Sequence, residues 1–140
     1  FSTAPYVVAV PRDHFYADRS SISLEDLART DFICYSRFAP GRHLIDQAFR
    51  SSGFETEYIC ETNLSAPAYA MVKRGLGIAI IDPFTAVLQK NEQVRVIPLV
   101  PAIPFRVSLL WPETRPIHPA TEALVQEMRK MRDRILSAIP

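Results

Sequence analysis

The chain is poor in the residue types that build metal, redox and nucleotide chemistry. Among 140 residues there are two cysteines, three histidines and four glycines. Cys34 and Cys60 each lie inside an apolar, strand-like run. That placement reads as two buried free thiols of a reducing compartment, with a disulfide as the alternative. His14, His43 and His118 are spread over different loops, and none has a carboxylate at metal-ligand spacing. Cys34 with His43 would make a poor nucleophile and base, because a reactive thiolate needs exposure and electropositive surroundings. No GxSxG, HExxH, GxGxxG or GxxxxGK occurs. Catalysis, a metal and a cofactor are therefore not expected. Charge of one sign is scarce as well. Sixteen Lys and Arg face fifteen Asp and Glu, a net charge of +1, without the basic field of a nucleic-acid surface. The one basic run, Arg129-Lys130 with Arg132 and Arg134, is broken by Met131 and Asp133 and reads as a solvated helix face. No apolar run approaches the roughly 18 residues of a membrane span, and no signal-peptide pattern is present.

What is present suits a layered α/β fold. Hydrophobic residues make up 48% of the chain, enough for the core of one domain or of one large part of a two-lobed one. Twelve prolines sit mostly at element boundaries and mark short connections. The spacing predicts strands at Tyr6 to Val10, Phe32 to Tyr35, Glu57 to Cys60, Ile78 to Ile81, Val94 to Ile97 and Phe105 to Trp111. It predicts helices beginning at Ser23, before Leu44, after Thr62-Asn63, at Asp82-Pro83 and near Pro119. The stretch "AMVKRGLGIAIIDPFTA", residues 70–86, compresses a helix end, a buried strand and a new helix start into one corner. Strands alternating with helices imply a largely parallel sheet. Pro98, Pro101 and Pro104 make the segment after Val94 read as an edge or a crossing.

In an open α/β sheet, ligands bind beyond the carboxyl ends of the strands, where loops enter helices. Three such loops follow Tyr35, Cys60 and Ile81. Each delivers a helix N-terminus with free N–H groups and partial positive charge, suited to an anion. The candidate effector-binding residues are Ser36, Arg37, Pro40 and Gly41 in the first, Thr62 and Asn63 in the second, and Asp82, Pro83 and Phe84 in the third. A carboxylate on a small metabolite fits these donors, since no phosphate cradle is present. Each residue has a plainer role beside that one. Thr62 and Asn63 can simply cap their helix, and Asp82 can serve as an N-cap. Phe84 divides between core and cleft wall, Arg37 is either a carboxylate clamp or solvated, and Arg42 reads as a helix-flank residue.

The order and spacing of "VAVPRDHFYADRSSISLEDLARTDFICYS", then "IDQAF" with "GF", then "ET" leading to "AMVKRGLGIAIIDP" resembles the effector-binding domain of LysR-type transcriptional regulators over essentially the whole chain. Within that family, "ETNLSAPAYAMVKRGLGIAIIDPFTA" and "IPFRVSLLWPETRP" look most like the regulators of lysine biosynthesis and of opine and arginine-type catabolism. The resemblance implies a type-II periplasmic-binding-protein-like fold, two α/β lobes with a small molecule between them. Residues 1–112 would be the complete second lobe, and 113–140 the crossing segment and C-terminal helix of the first. The rest of the first lobe and an N-terminal winged helix-turn-helix that binds DNA would lie outside this chain.

The implied function is ligand-controlled transcription in the bacterial cytoplasm, as a homodimer or homotetramer and without a membrane partner. The effector would be an amino acid or a derivative of one. The helix from Arg42 to Ser52 is the candidate contact with a neighbouring copy, or a one-sided core helix with no partner. A solute-binding protein of an amino-acid uptake system shares the fold and is the alternative; an enzyme on the same frame is a third reading. Two departures from the family pattern are Phe15 after His14, where proline is common, and His118-Pro119 in place of Ser-Pro, which trades a good helix cap for a poor one.

Overall fold

The apolar runs Phe32–Tyr35 and Ile78–Ile81 are buried at every position, as strands covered on both faces must be. A computed structural model of the chain, describing residues 1–114 and 116–139, places both as neighbouring inner strands of a six-stranded sheet. In chain order the elements are β1 (Ser2–Pro5), β2 (Val7–Pro11), β3 (Ile22–Ser23), α1 (Leu24–Ala28), β4 (Phe32–Tyr35), α2 (Arg42–Ser52) and β5 (Cys60–Thr62). There follow α3 (Ser65–Lys73), β6 (Ile78–Ile81), α4 (Pro83–Leu88), β7 (Val94–Val100), β8 (Pro104–Val107) and α5 (Pro119–Leu136). Residues 115 and 140 of the segment 113–140 lie outside the described residues.

The main sheet has the order β3-β7-β2-β6-β4-β5. Pairing is parallel for β3–β7, β4–β5 and β4–β6, and antiparallel where β2 meets β6 and β7. Five strands therefore run one way and β2 alone runs against them. This has a consequence for any site. The carboxyl ends of β4, β5 and β6 share one edge, and the amino end of β2 lies on that same edge, with Val7 opposite Ile81. A separate antiparallel ribbon, β1 with β8, springs from there, and the Tyr6 N–H donates to the Ile103 carbonyl at 2.9 Å where the two meet the sheet.

Helices cover both faces. On one, α1 and α2 enclose Val8, Phe32, Ile45, Phe49, Ile78 and Ile80. On the other, α3 and α4 enclose Val7, Ile33, Tyr69, Val72, Ala79 and Ile81. The helix ends follow the sequence signals. Ser23 and Asp26 form a reciprocal capping box for α1, and Gly53 closes α2 at φ +74°. Gly77 must be glycine: a Cβ there would stand 2.4 Å from the Asp31 carbonyl oxygen, at φ +149°.

Several details depart from the sequence reading, among them the last strand, β8, which stops at Val107 rather than Trp111. The third strand is Cys60–Thr62 rather than Glu57 to Cys60, because this edge strand pairs with the last three residues of β4, and Tyr58 instead packs its ring on Phe32 at 5.6 Å. Strand β7 runs through Pro98. The short β3 reaches only Leu99 and Val100, so Pro98 has a strand neighbour on the β2 side alone. His43 lies within α2 rather than in a loop. His118 is a working cap for α5, its Nδ1 accepting from the Ala120 N–H at 3.1 Å. On α5 only Val125 of the apolar stripe is buried, with Ile135 and Leu136 half-buried and Leu124, Met128 and Met131 exposed. Among the described residues no helix is long and apolar enough to cross a membrane.

Candidate effector site at the carboxyl edge of the sheet

The parallel run β6-β4-β5 brings the three predicted loops to neighbouring positions on one edge. Hydrogen bonds then tie them together. The Ser36 N–H donates to the Thr62 carbonyl at 2.7 Å, and the Ser36 hydroxyl donates to Asn63 Oδ1. Behind them Tyr35 and Ser65 share a buried hydroxyl–hydroxyl bond, while the Asp82 N–H donates to Ser65 Oγ at 2.9 Å. Ser65 thus joins the end of β4 to the start of α4. Of the candidates, Ser36, Gly41, Asp82 and Phe84 are half-buried, Arg37, Pro40 and Asn63 are exposed, and Thr62 and Pro83 are buried.

The capping roles separate. Asp82 caps α4 with both oxygens, Oδ1 accepting from the Thr85 N–H at 2.9 Å and Oδ2 from its hydroxyl at 2.7 Å. Thr62 and Asn63 cap nothing. The Thr62 hydroxyl donates to the Leu64 carbonyl at 2.8 Å, Asn63 serves Ser36, and the N-cap of α3 is Leu64 with no side-chain bond. Helix α2 likewise begins at Gly41 without a side-chain cap. Neither helix has a side-chain cap, but few first-turn N–H groups are open: in α2 those of Arg42 and Leu44 donate to the Ala39 and Gly41 carbonyls, leaving His43, and in α3 Pro67 has none, leaving Ser65 and Ala66.

Residue types alone did not expose several members of this edge. Tyr6 precedes β2, and because β2 is antiparallel its ring arrives beneath the first loop. A Cβ on Gly41, whose φ is +105°, would stand 2.1 Å from the Tyr6 hydroxyl oxygen. Burial, then the nearby Asp82 carboxylate, pushes the Tyr6 phenol up to about 12, so it is a proton donor at neutral pH. Phe105 stands edge-on to Tyr6 at 5.2 Å and faces Phe84 at 6.0 Å, which makes an aromatic floor from β8 to α4. The antiparallel run of β2 was the missing signal.

Arg42 is not a flank residue. Its side chain is 11% exposed and its guanidinium lies 4.4 Å from the Tyr58 ring centroid. It donates to Asp46 Oδ1 at 2.7 Å, to Glu61 Oε1 at 2.8 Å and to the Tyr35 carbonyl. Burial pulls its pKa down, and the two carboxylates more than reverse that. The charge is consumed internally, holding the start of α2 to the ends of β4 and β5. Arg37, on the loop itself, is the exposed arginine.

The thiols also differ. Both are free, on opposite faces of the sheet because Cys60 opposes Ile33 and Cys34 opposes Glu61. Cys34 is buried, and that burial pushes its thiol up to about 12; Cys60 is only half-buried. This corrects the expectation of two buried thiols. Cavities of about 520, 580 and 810 Å³ lie toward the opposite edge, and none includes a residue of the three loops.

The family model for the LysR substrate-binding domain matches residues 1–133. The chain belongs to that family. Its relatives include the transcriptional activator protein LysR of Escherichia coli (strain K12), 33% identical over 120 residues, covering 86% of this chain and 37% of the relative. The regulatory protein NocR of Agrobacterium tumefaciens (strain T37) is 28% identical over 134 residues, covering 96% of this chain and 43% of the relative. This LysR-family chain thus spans less than half the length of either. Among solved structures, the effector-binding domain of QuiR in complex with shikimate superposes with a TM-score of 0.66 at 23% identity, covering 89% of this chain and 59% of that one. The fold is that of LysR effector-binding domains, the type-II binding-protein architecture expected from the sequence. The family consists of transcriptional regulators.

Proposed function

We propose that this chain is the effector-sensing part of a LysR-type regulator and that its carboxyl edge binds a small carboxylate metabolite, an amino acid or a derivative. Residues 1–112 form the second lobe, and 113–140 return to a first lobe that supplies the opposing wall. The observation that carries this reading is the meeting of two side-chain-uncapped helix starts, α2 and α3, at one edge with Tyr6 and Asp82. The N–H groups suit a carboxylate, and the Asp82 carboxylate suits an ammonium. Ser36, Arg37, Pro40, Gly41, Thr62, Asn63, Pro83 and Phe84 complete this wall. The resemblance of "ETNLSAPAYAMVKRGLGIAIIDPFTA" to regulators of lysine biosynthesis and opine catabolism supports an amino-acid-like ligand, and shikimate in QuiR is a carboxylate held on this fold.

Closure of the lobes around the effector would reach a separate N-terminal winged helix-turn-helix on DNA through a dimer or tetramer that uses α2, in the cytoplasm. Such coupling requires that the effector bind one arrangement better than the other. A thermal-shift screen of the intact protein against lysine, diaminopimelate and opines tests it. At a hundredfold excess over Kd, one carboxylate should stabilise the fold by about 2.7 kcal/mol, and its carboxamide should not. Stabilisation by none of them, or equally by the carboxamide, would overturn the reading.

A further inference from the structure

Most side-chain hydroxyls at the carboxyl edge are spent within the protein. That of Ser36 goes to Asn63, Thr62 to the Leu64 carbonyl, Tyr35 to Ser65 and Thr85 to Asp82. The Tyr6 hydroxyl is the exception: the residue is only 4% exposed, and its oxygen has no hydrogen-bond partner among the described residues. Unlike the Tyr69 oxygen, that of Tyr6 is not sealed from solvent. Its ring is fixed, edge-on to Phe105 at 5.2 Å and tilted against Tyr35 at 6.1 Å. The oxygen lies so close to Gly41 that no Cβ fits between them. It therefore stands at the start of α2, on the turn that carries the open N–H of His43. A buried polar group without a partner costs free energy, which a ligand acceptor recovers.

Building on the reading of this edge as the effector site, we infer that the Tyr6 hydroxyl is a specificity-determining contact, donating to the carboxylate of a zwitterionic α-amino acid whose ammonium pairs with Asp82. Two neighbouring groups with opposite demands select that class. The phenol keeps its proton at neutral pH, because burial and the nearby Asp82 charge both oppose its loss, so it demands an acceptor. The same Asp82 charge repels an anion placed on Tyr6. A simple organic acid gains the Tyr6 bond and loses part of it to that repulsion. An amino acid carries its own neutralising ammonium one carbon away. Asp82 has room for it, since a carboxylate can accept beyond the two bonds it takes from Thr85. The site thus reads a pair of charges rather than a carboxylate alone.

Calorimetric titration of the intact protein with L-lysine and meso-diaminopimelate tests this, beside 6-aminohexanoate and pimelate, which lack only the α-ammonium groups. One amino acid should bind at least tenfold more tightly than its counterpart. Tyr6→Phe should weaken that amino acid about tenfold. Without ligand it should melt no lower than the parent, since it removes an unpartnered hydroxyl and keeps the ring. Asp82→Asn, which retains a helix cap, should bring the amino acid and its counterpart to within about threefold of each other. The inference is overturned if the counterpart binds as well as the amino acid, or if either variant binds like the parent. A lower melting temperature for ligand-free Tyr6→Phe overturns it too, by showing that the hydroxyl already has a partner. Saturable binding of neither amino acid also overturns it; the opine arm of the thermal-shift screen then decides separately whether the effector-site reading stands.

Discussion

The two ends of the central sheet solve opposite problems with similar residues. At the carboxyl edge, side chains are spent on one another. Ser36 serves Thr62 and Asn63, Ser65 serves Tyr35 and Asp82, and Asp82 serves Thr85. What remains unclaimed there is backbone: the N–H groups of His43 in α2 and of Ser65 and Ala66 in α3, whose helices have no side-chain cap. At the other end the backbone is closed off, with Gly77 pressed against the Asp31 carbonyl, while Arg12, Lys90 and Arg95 stand around hollow space without an ion pair among the described residues. Fixed amide donors cost little reorganisation when they meet an anion; flexible cations select by charge. The first end is built for geometry and the second for sign.

Substitutions can break this contrast. The largest effect should come from Gly77→Ala, because the added Cβ meets backbone at 2.4 Å and the φ of +149° disfavours any side chain. A loss of about 3 kcal/mol or more is expected in urea denaturation. Gly41→Ala should cost less, since its clash is with the tip of Tyr6. Adding Tyr6→Phe should return part of that loss, whereas no partner substitution rescues Gly77→Ala. Next in size, Arg42→Ala strands the carboxylates of Asp46 and Glu61. Both are partly exposed, 29% and 41%, so the loss should be about 2–3 kcal/mol, short of a fully buried pair. Arg37→Ala should leave stability unchanged and weaken the effector alone.

Asp82→Ala removes one helix cap and should cost about 1 kcal/mol, with Asp82→Asn recovering most of it. If the Asp82 carboxylate also receives a ligand ammonium, Asn will restore stability without restoring affinity. A further effect is confined to alkaline pH. Because the Tyr6 pKa is raised to about 12 in the folded chain, its contribution is intact below pH 10 and is lost as pH climbs toward 12. Tyr6→Phe should flatten the stability profile in that window by up to about 1.4 kcal/mol per pH unit. An unchanged slope would place the titration elsewhere.

Where local pattern decides, the sequence was readable. Burial on both faces marks Phe32–Tyr35 and Ile78–Ile81 as strands whichever neighbours they take, and Ser23, Gly53 and Asp82-Pro83 mark helix ends through chemistry that acts within four residues. Where pairing decides, it was not. Nothing local says that β2 runs against its neighbours, and that direction alone carries Tyr6 to the carboxyl edge. The same holds for β5, whose span follows its register with β4. Arg42 misled because its helix position resembles a flank, and its partner Glu61 lies nineteen residues away. For Thr62 and Asn63, residue type suggested caps; the hydrogen bonds that claim them come from other loops and their own turn.

Hydrogen exchange on the intact protein, with and without the carboxylate that most raises its melting temperature, tests the central claim most directly. The account predicts slowed exchange together in residues 36–44, 62–66 and 82–85, with no change in residues 90–95. Protection absent from those three loops, or confined to the opposite end of the sheet, would contradict it.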